Sequence, residues 1–282
     1  MTKKHQHFAT RKELHLDEYN ASPTIAGKEV GPIGLGLIGF TWRANPIPTD
    51  EAIKVLKAAL DNGMQPDGSP EAVCKSLDAA VAQLNGRQKI DLFEPEEYVQ
   101  SGKIGGIGLY EVKASSIQAG SKITKIESVE VELSLFSLHV LKNGVAAATA
   151  ELGIPLVAYS PLSRGFLSGQ FRSLDDIPKE SLLHHFPRFH PDVFPLNLQL
   201  ADQIAEVAKK KGVTFAQLAI NWVAAQAKKA GLPAIIPISG STTVARVENS
   251  KLVEVINADL AEIEEKLKKL PTSYGGLDDR EW

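Results

Sequence analysis

Short apolar runs alternate with stretches of helical period along most of this chain. The apolar runs predict six strands, at residues 30–40, 90–93, 104–109, 129–136, 156–160 and 234–238. Amphipathic periods and capping residues predict the helices, at residues 49–60, 67–84, 96–101, 115–120, 145–152, 198–211, 214–227 and 258–270. Strands separated by helices are typical of parallel βα units with right-handed crossovers.

The predicted strands are apolar throughout, which indicates a parallel sheet that is covered on both faces. We therefore predict an α/β fold, a (β/α)8 TIM barrel in which residues 23–282 form one domain. Residues 1–22 are interpreted as a poorly ordered or artefactual extension. Six strands cannot close an eight-stranded barrel, and two helices follow one another across residues 61–70 with no strand between them. We expect strands 2 and 3 to be lacking near residues 64–66.

Two turns rich in glycine and serine follow late apolar runs. The first is Tyr159-Ser160-Pro161-Leu162-Ser163-Arg164-Gly165, and the second is Ser239-Gly240-Ser241-Thr242-Thr243, with Arg246 shortly after it. Such turns offer backbone N–H groups, hydroxyls and a cation at the carboxyl ends of strands, where barrel enzymes hold ligand phosphates. Each alone could be an ordinary βα turn. Together they favour a phosphate-bearing cofactor.

The composition narrows the choice of partner. A net charge of −3 gives no general attraction for nucleic acid or anionic membranes, and no apolar run approaches the length of a membrane span. The single cysteine, Cys74, excludes an internal disulfide and agrees with a reducing compartment, so we expect a cytoplasmic protein. We expect a small-molecule substrate. The sequence does not indicate an oligomeric state.

Three other motifs favour simpler interpretations. The segment Gly34-Leu35-Gly36-Leu37-Ile38-Gly39 matches the glycine pattern of a dinucleotide-binding fingerprint. Its glycines lie within the predicted strand, however, and no helix begins inside the motif. We therefore prefer the interpretation that these glycines let the backbone approach a ligand closely. The histidines between residues 184 and 190 lack regular metal-ligand spacing, and we predict no metal. Glu130 and Glu132 share one strand face, where buried carboxylates are costly unless they bind something. They lie too close to act as separate acid and base of a glycosidase.

Six segments form a recognisable series along the chain. They are Val30-Gly31-Pro32-Ile33-Gly34-Leu35-Gly36, Lys103-Ile104-Gly105-Gly106-Ile107-Gly108-Leu109, Val129-Glu130-Val131-Glu132-Leu133-Ser134-Leu135-Phe136, the turn from Tyr159 to Gly165, Arg188-Phe189-His190-Pro191-Asp192-Val193-Phe194 and the stretch from Gly240 to Arg246. Taken in order, these segments resemble the aldo-keto reductases, and more closely the fungal pyridoxal reductase branch. The resemblance implies a barrel of aldo-keto reductase type that reduces carbonyls with NADPH and without a metal.

The same resemblance implies roles for individual residues. Thr41 and Trp42 would border the nicotinamide ribose, Glu130 would contact the carboxamide, and Tyr159 would stack on the nicotinamide ring. The diphosphate would lie against Ser160, Pro161, Leu162, Arg164 and Gly165. The 2′-phosphate would be held by Gly240, Ser241, Thr242 and Arg246, with Asn249 one position from the expected adenine contact.

The chain also departs from that family. The Asp or Asn, Tyr and Lys expected after the second and third strands belong to the segment that is lacking, and Pro95 and Glu96 follow the strand at residues 90–93 where His or Cys is expected. Tyr110 stands where the family has a small hydroxyl residue near the carboxamide. No catalytic residue is therefore assigned. Either the chain is an incomplete form of a working reductase, or it is a true deletion variant.

The expected function is NADPH-dependent reduction of an aldehyde or ketone, such as pyridoxal, to the alcohol. The alternative is a catalytically inactive nucleotide-binding or interaction protein on the same barrel. An unrelated phosphate-binding barrel enzyme is the third interpretation. Hydride transfer to a carbonyl also needs a proton donor, so identification of that donor separates the first two interpretations.

Overall fold

The computed structural model describes residues 23–25, 27–36, 47–62, 107–248, 250, 251, 253, 255 and 257–268. Several predictions fall outside these residues. They are the extension at residues 1–22, the segment near 64–66, the strand at 90–93 and the helices at 67–84 and 96–101.

A parallel five-stranded sheet lies at the centre of the described structure. A short antiparallel hairpin of β1 (Thr24–Ile25) and β2 (Lys28–Glu29) precedes it. The strands of the sheet are β3 (Gly34–Gly36), β4 (Ile107–Tyr110), β5 (Ile126–Glu132), β6 (Leu156–Tyr159) and β7 (Ile235–Gly240). They lie side by side in the order β3-β7-β6-β5-β4. Among the described residues, the first parallel strand thus pairs with the last, as a closed barrel requires.

Helices connect and cover these strands. The α-helices are α1 (Thr49–Asp61), α2 (Ala114–Gly120), α3 (Val145–Glu151), α4 (Phe194–Lys211), α5 (Phe215–Ala225), α6 (Val244–Glu248) and α7 (Asn257–Lys268). The polar stretch between β6 and α4 forms short 3-10 turns, at Ser163–Ser168, Leu174–Asp176, Leu182–His185 and Pro187–Phe189. None of the helices in the described stretches is long and apolar enough to cross a membrane.

Local chemistry explains where α4 ends and α5 begins. Gly212 adopts a left-handed conformation with φ of 72°, which ends α4 after its three terminal lysines. The Thr214 hydroxyl then accepts a hydrogen bond from the Gln217 N–H at 3.1 Å, and the Gln217 side chain accepts one from the Thr214 N–H at 3.0 Å. This reciprocal pair satisfies two N–H groups at the start of α5.

Two apolar clusters stabilise the described sheet. The larger one packs the helix faces of α4 and α5 against β5 and β6, with Trp222, Phe166 and Phe189 among its largest buried side chains. The smaller one joins β3, α1 and α6. Leu162, which belongs to the first predicted phosphate turn, packs against both clusters. That turn is consequently anchored to the core.

Several predicted strand boundaries are wrong. The first strand starts at Gly34 because Pro32 lacks an N–H and the chain bends at residues 32–33. β5 covers residues 126–132, not 129–136, since Ser134 and Ser137 form a turn with mutual backbone hydrogen bonds. β7 continues to Gly240, so Ser239 and Gly240 belong to the strand and not to the turn.

The glycines of β3 serve strand packing. A Cβ at Gly34 would lie 2.9 Å from Ile238 Cγ2, and one at Gly36 would lie 3.3 Å from the Gly240 backbone nitrogen. Both positions face the paired strand β7. Close approach of two strands therefore explains these glycines without a ligand.

Candidate functional site

The two turns identified in the sequence lie next to each other. β6 and β7 are neighbouring parallel strands, and Tyr159 at the end of β6 pairs with Ile238 of β7. Residues 160–165 therefore leave the sheet beside residues 241–246. This is the carboxyl edge, where barrel enzymes bind their ligands.

The first turn is held in an unusual backbone conformation. Ser160, Ser163 and Arg164 have φ of 53°, 49° and 60°, values that residues other than glycine rarely adopt. Gly165 has φ of +98°, so any other residue there would be strained, and a Cβ would also displace the Gln170 side chain, whose Nε2 would lie 2.2 Å away. Strain of this kind persists only where surrounding contacts impose it, and it concentrates at ligand sites.

Buried contacts impose that conformation. The hydroxyls of Ser163 and Ser134 lie 2.7 Å apart in the interior. The Arg164 guanidinium lies 4.0 Å from the centroid of the Phe186 ring, a cation–π contact. The turn is thus joined to the end of β5 and to the 3-10 segment that carries Phe186.

A buried ion pair lies beneath the turn. Glu132 is 0% exposed, and its Oε1 accepts a hydrogen bond of 2.7 Å from Nη2 of Arg188, which is 1% exposed. Arg164 Nη2 lies 3.8 Å from the other oxygen of Glu132. Two guanidinium groups therefore share one carboxylate, which leaves a net positive charge in the cluster of Glu132, Arg164 and Arg188.

This cluster has hydrogen-bonding capacity to spare. Within the described part of the chain, Arg164 Nε and both Nε and Nη1 of Arg188 are buried without an acceptor, and Glu132 Oε2 is buried without a hydrogen-bond donor. Unpaired donors of a buried cation are costly, and guanidinium groups are well suited to phosphate oxygens. The residues present therefore fit the diphosphate of a dinucleotide.

The second turn presents smaller polar groups. Gly240 is exposed, Ser241 is buried, and the Arg246 guanidinium donates a 3.4 Å hydrogen bond to the Thr242 hydroxyl. Ser250 is buried, and its hydroxyl lies 2.9 Å from that of Ser239 and donates to the Arg246 carbonyl at 3.0 Å. Ser250 thus ties the α6 segment to β7. The Arg246 guanidinium is exposed, so an anion can reach it.

Tyr159 stands between acidic neighbours at the same edge. The pKa of the Tyr159 phenol is raised, first by burial and then by hydrogen bonding to Tyr110. The charges of Glu111 and Glu132 and a hydrogen bond to Glu111 raise this pKa further. Burial and then the charge of Glu111 raise the pKa of Glu130, which is half-buried on β5. The Tyr159 hydroxyl consequently remains protonated at neutral pH and is a weak acid.

A cavity of about 550 Å³ lies nearby, on the other side of the strand. Val131 lines it together with Val140 and Val145. Because strand side chains alternate, Val131 faces away from Glu130 and Glu132. Glu111 also lines the cavity, which therefore adjoins the acidic side of the proposed cofactor site. Within the described ranges, no three His, Cys, Asp or Glu side chains are grouped so that they could hold a metal ion.

The structure places most of the predicted site residues at one edge of the sheet. Thr41, Trp42 and Asn249 lie outside the described residues. Those found on the ends of β5, β6 and β7 and the two turns are Glu130, Tyr159, Ser160, Pro161, Leu162, Arg164, Gly165, Gly240, Ser241 and Thr242, and Arg246 lies on α6 directly after the second turn. Sequence reasoning missed the pairing of Glu132 with Arg188. An arginine between Phe186 and Phe189 was the available signal, because a cation in an apolar segment needs a buried acid.

Comparison with known proteins assigns the fold and the family. The aldo/keto reductase family model matches residues 92–268. The chain belongs to the aldo/keto reductase family. "Probable pyridoxal reductase 2" of Schizosaccharomyces pombe is 31% identical, with 81% of this chain and 88% of that protein covered. "Putative pyridoxal reductase" of Saccharomyces cerevisiae is 30% identical, with 67% and 78% covered.

Solved structures of this family have the same fold. A glycerol dehydrogenase of Gluconobacter oxydans superposes with a TM-score of 0.70 at 17% identity, covering 88% of this chain and 95% of that one. An aldo-keto reductase of Klebsiella pneumoniae, solved with NADPH, gives 0.58 at 18% identity, covering 90% and 97%. The predicted aldo-keto reductase barrel is therefore confirmed, and the chain is an oxidoreductase by family.

The alignment with the fission yeast relative also bears on the expected lack of two strands. It extends over 296 positions, more than the 282 residues of this chain, although only 81% of the chain is covered. Parts of the relative therefore have no counterpart in this aldo/keto reductase. The position of those parts stays a prediction, near residues 64–66.

Proposed function

We propose that this aldo/keto reductase binds NADPH and reduces an aldehyde or ketone, such as pyridoxal, to the alcohol. The observation that carries the proposal is the strained turn at residues 160–165, whose Arg164 gives the cluster of Glu132, Arg164 and Arg188 its net positive charge. The pyridoxal reductases among the relatives support the substrate class. The Klebsiella structure solved with NADPH supports the cofactor.

Each part of the cofactor has a counterpart among the described residues. Arg164, with Arg188 behind it, would face the diphosphate. Thr242 and Arg246 would hold the 2′-phosphate, for which a guanidinium is well suited. Glu130 would contact the carboxamide, and Tyr159 would support the nicotinamide ring. Bound NADPH would supply the hydride that reduces the carbonyl carbon, and the carbonyl oxygen would need a proton from a donor that is not assigned among the described residues.

Tyr159 is poorly suited to supply the proton. A general acid works best when its pKa lies near the working pH, whereas burial raises that of the Tyr159 phenol far above it. We therefore assign Tyr159 to cofactor binding only. A chain that binds NADPH without turning over a carbonyl would be the inactive nucleotide-binding protein instead.

We further propose that residues 23–282 act as one barrel domain in the cytoplasm, on a small-molecule carbonyl substrate. The two apolar clusters both contact Leu162, which supports a single folding unit. The single cysteine supports a reducing compartment.

Substitution of Arg246 tests the cofactor. Arg246→Ala should weaken NADPH binding by about 1.5–3 kcal/mol, the range for a hydrogen bond to a charged group, and leave NADH nearly unchanged because NADH lacks the 2′-phosphate. Fluorescence titration with both cofactors measures the difference. Arg172→Ala, which removes an exposed arginine bound to Asp202, is the matched control. Equal losses for NADPH and NADH would remove the 2′-phosphate role, and NADPH oxidation with pyridoxal tests turnover.

A further inference from the structure

The ring of Tyr159 is already covered by another aromatic ring. Tyr110 stacks on it with centroids 5.6 Å apart and an interplanar angle of 21°. Tyr110 ends β4 and Tyr159 ends β6, and these strands flank β5. The two rings therefore meet across the end of β5, beside Glu130 and Glu132, where the nicotinamide would lie.

The backbone beside Tyr110 is fixed, so its side chain is the part that can move. Glu111 has φ of 47°, its N–H donates to the Glu130 carbonyl at 3.0 Å, and its Oε1 accepts from the Glu132 N–H at 2.7 Å. The Tyr110 side chain itself is mostly in solvent, because the residue is 60% exposed. Rotation of the ring away from Tyr159 costs one aromatic contact and the hydrogen bond between the two phenols.

We propose that Tyr110 occupies the nicotinamide position on Tyr159 and competes with the cofactor for it. This inference rests on the proposed NADPH site. The phosphate half of the cofactor binds at the arginine-bearing turns, independently of Tyr110. The nicotinamide half binds only when the Tyr110 ring leaves, so Tyr110 lowers the affinity for the whole dinucleotide but not for its phosphate half.

Two ligands and three proteins test the proposal. Dissociation constants are measured for NADPH and for 2′-phospho-ADP-ribose, which lacks the nicotinamide, with the wild type, Tyr110→Ser and Tyr110→Phe. Tyr110→Ser should bind NADPH about two- to tenfold more tightly, the range for loss of one competing aromatic pair, with unchanged affinity for 2′-phospho-ADP-ribose. Tyr110→Phe keeps the ring but loses the hydrogen bond to Tyr159, so its NADPH affinity should lie between those of the wild type and Tyr110→Ser, with unchanged affinity for 2′-phospho-ADP-ribose.

Each other outcome overturns the proposal in a recognisable way. Unchanged or weaker NADPH binding by Tyr110→Ser would show that the ring does not compete. An equal gain for both ligands would show a general effect on the site. Binding of neither ligand by any of the proteins would refute the cofactor proposal itself. Should Tyr110→Ser not fold, Tyr110→Leu removes the ring while keeping an apolar side chain, and the same tightening is expected of it.

Discussion

The buried pair of Glu132 and Arg188 gives a sharp test of what holds the site together. Glu132→Gln keeps the size of the side chain but removes the only carboxylate that both guanidinium groups share in the described structure. The Arg188 charge, 1% exposed, then remains buried opposite a neutral amide. Removal of one partner from a buried ion pair costs about 3–5 kcal/mol, so we expect the free energy of unfolding to fall by that amount.

Substitution of Arg188 should lower the free energy of unfolding by less than substitution of Glu132 does. In Arg188→Met the carboxylate keeps Arg164 at 3.8 Å, and the Arg164 side chain is 29% exposed, so water and a second cation still compensate the charge. The double variant Glu132→Gln/Arg188→Met removes both charges together. It should be more stable than the sum of the single losses predicts, with a coupling energy of about 1–3 kcal/mol.

Urea denaturation followed by fluorescence and by far-UV circular dichroism measures these free energies, provided that the two transitions coincide. The control is Asp202→Asn, which removes an exposed ion pair with Arg172. It should cost less than about 1 kcal/mol. If Glu132→Gln cost no more than this control, or if the double variant showed no coupling, the account of the buried cluster would be wrong.

Two further predictions concern the acidic side of the site. With Tyr110→Ser as the parent, so that no ring competes, Tyr159→Phe should bind NADPH nearly as well as the parent and Tyr159→Leu clearly less well in fluorescence titrations; equal affinities would refute ring stacking. Burial, followed by the charge of Glu111, raises the pKa of Glu130 in the folded protein above its value in the unfolded chain. The Glu130 side chain therefore contributes its full stabilisation below the pKa of the unfolded chain, and this contribution is lost as the pH rises through the pKa of the folded protein. Glu130→Gln should therefore be more stable than the wild type at neutral pH and equally stable near about pH 4. Thermal unfolding at both pH values measures the difference in melting temperature between the two proteins. A difference that does not change with pH would contradict this prediction.

The sequence predicts the elements that depend on local pattern. Helix α1 and the boundaries around Gly212 and Thr214 follow from caps and from helical period, and the buried runs of β6 and β7 follow from their apolar residues. The two polar turns after those strands were predictable because parallel strands end at a common edge. The order of neighbouring strands then brings the turns together.

The contacts that shape the site were not predictable in this way. Arg188 lies 56 positions from Glu132 along the chain, so no spacing rule connects them. The left-handed backbone of Ser163 and Arg164 runs against local preference and exists because of tertiary contacts with Ser134 and Phe186. The stack of Tyr110 on Tyr159 likewise depends on how far two side chains reach across β5.

The two halves of the proposed cofactor site are consequently prepared in different ways. The diphosphate half rests on contacts within the protein, since Ser134 and Phe186 hold the strained turn and Glu132 pairs with Arg164. The same contacts contribute to folding, so Glu132→Gln should lower both stability and affinity for 2′-phospho-ADP-ribose. On the nicotinamide half, the ring of Tyr110 covers Tyr159 and lies mostly in solvent, so Tyr110→Ser should alter NADPH affinity with little change in stability. Measurement of stability and affinity on both variants therefore separates a site fixed by the fold from one that a mobile side chain controls.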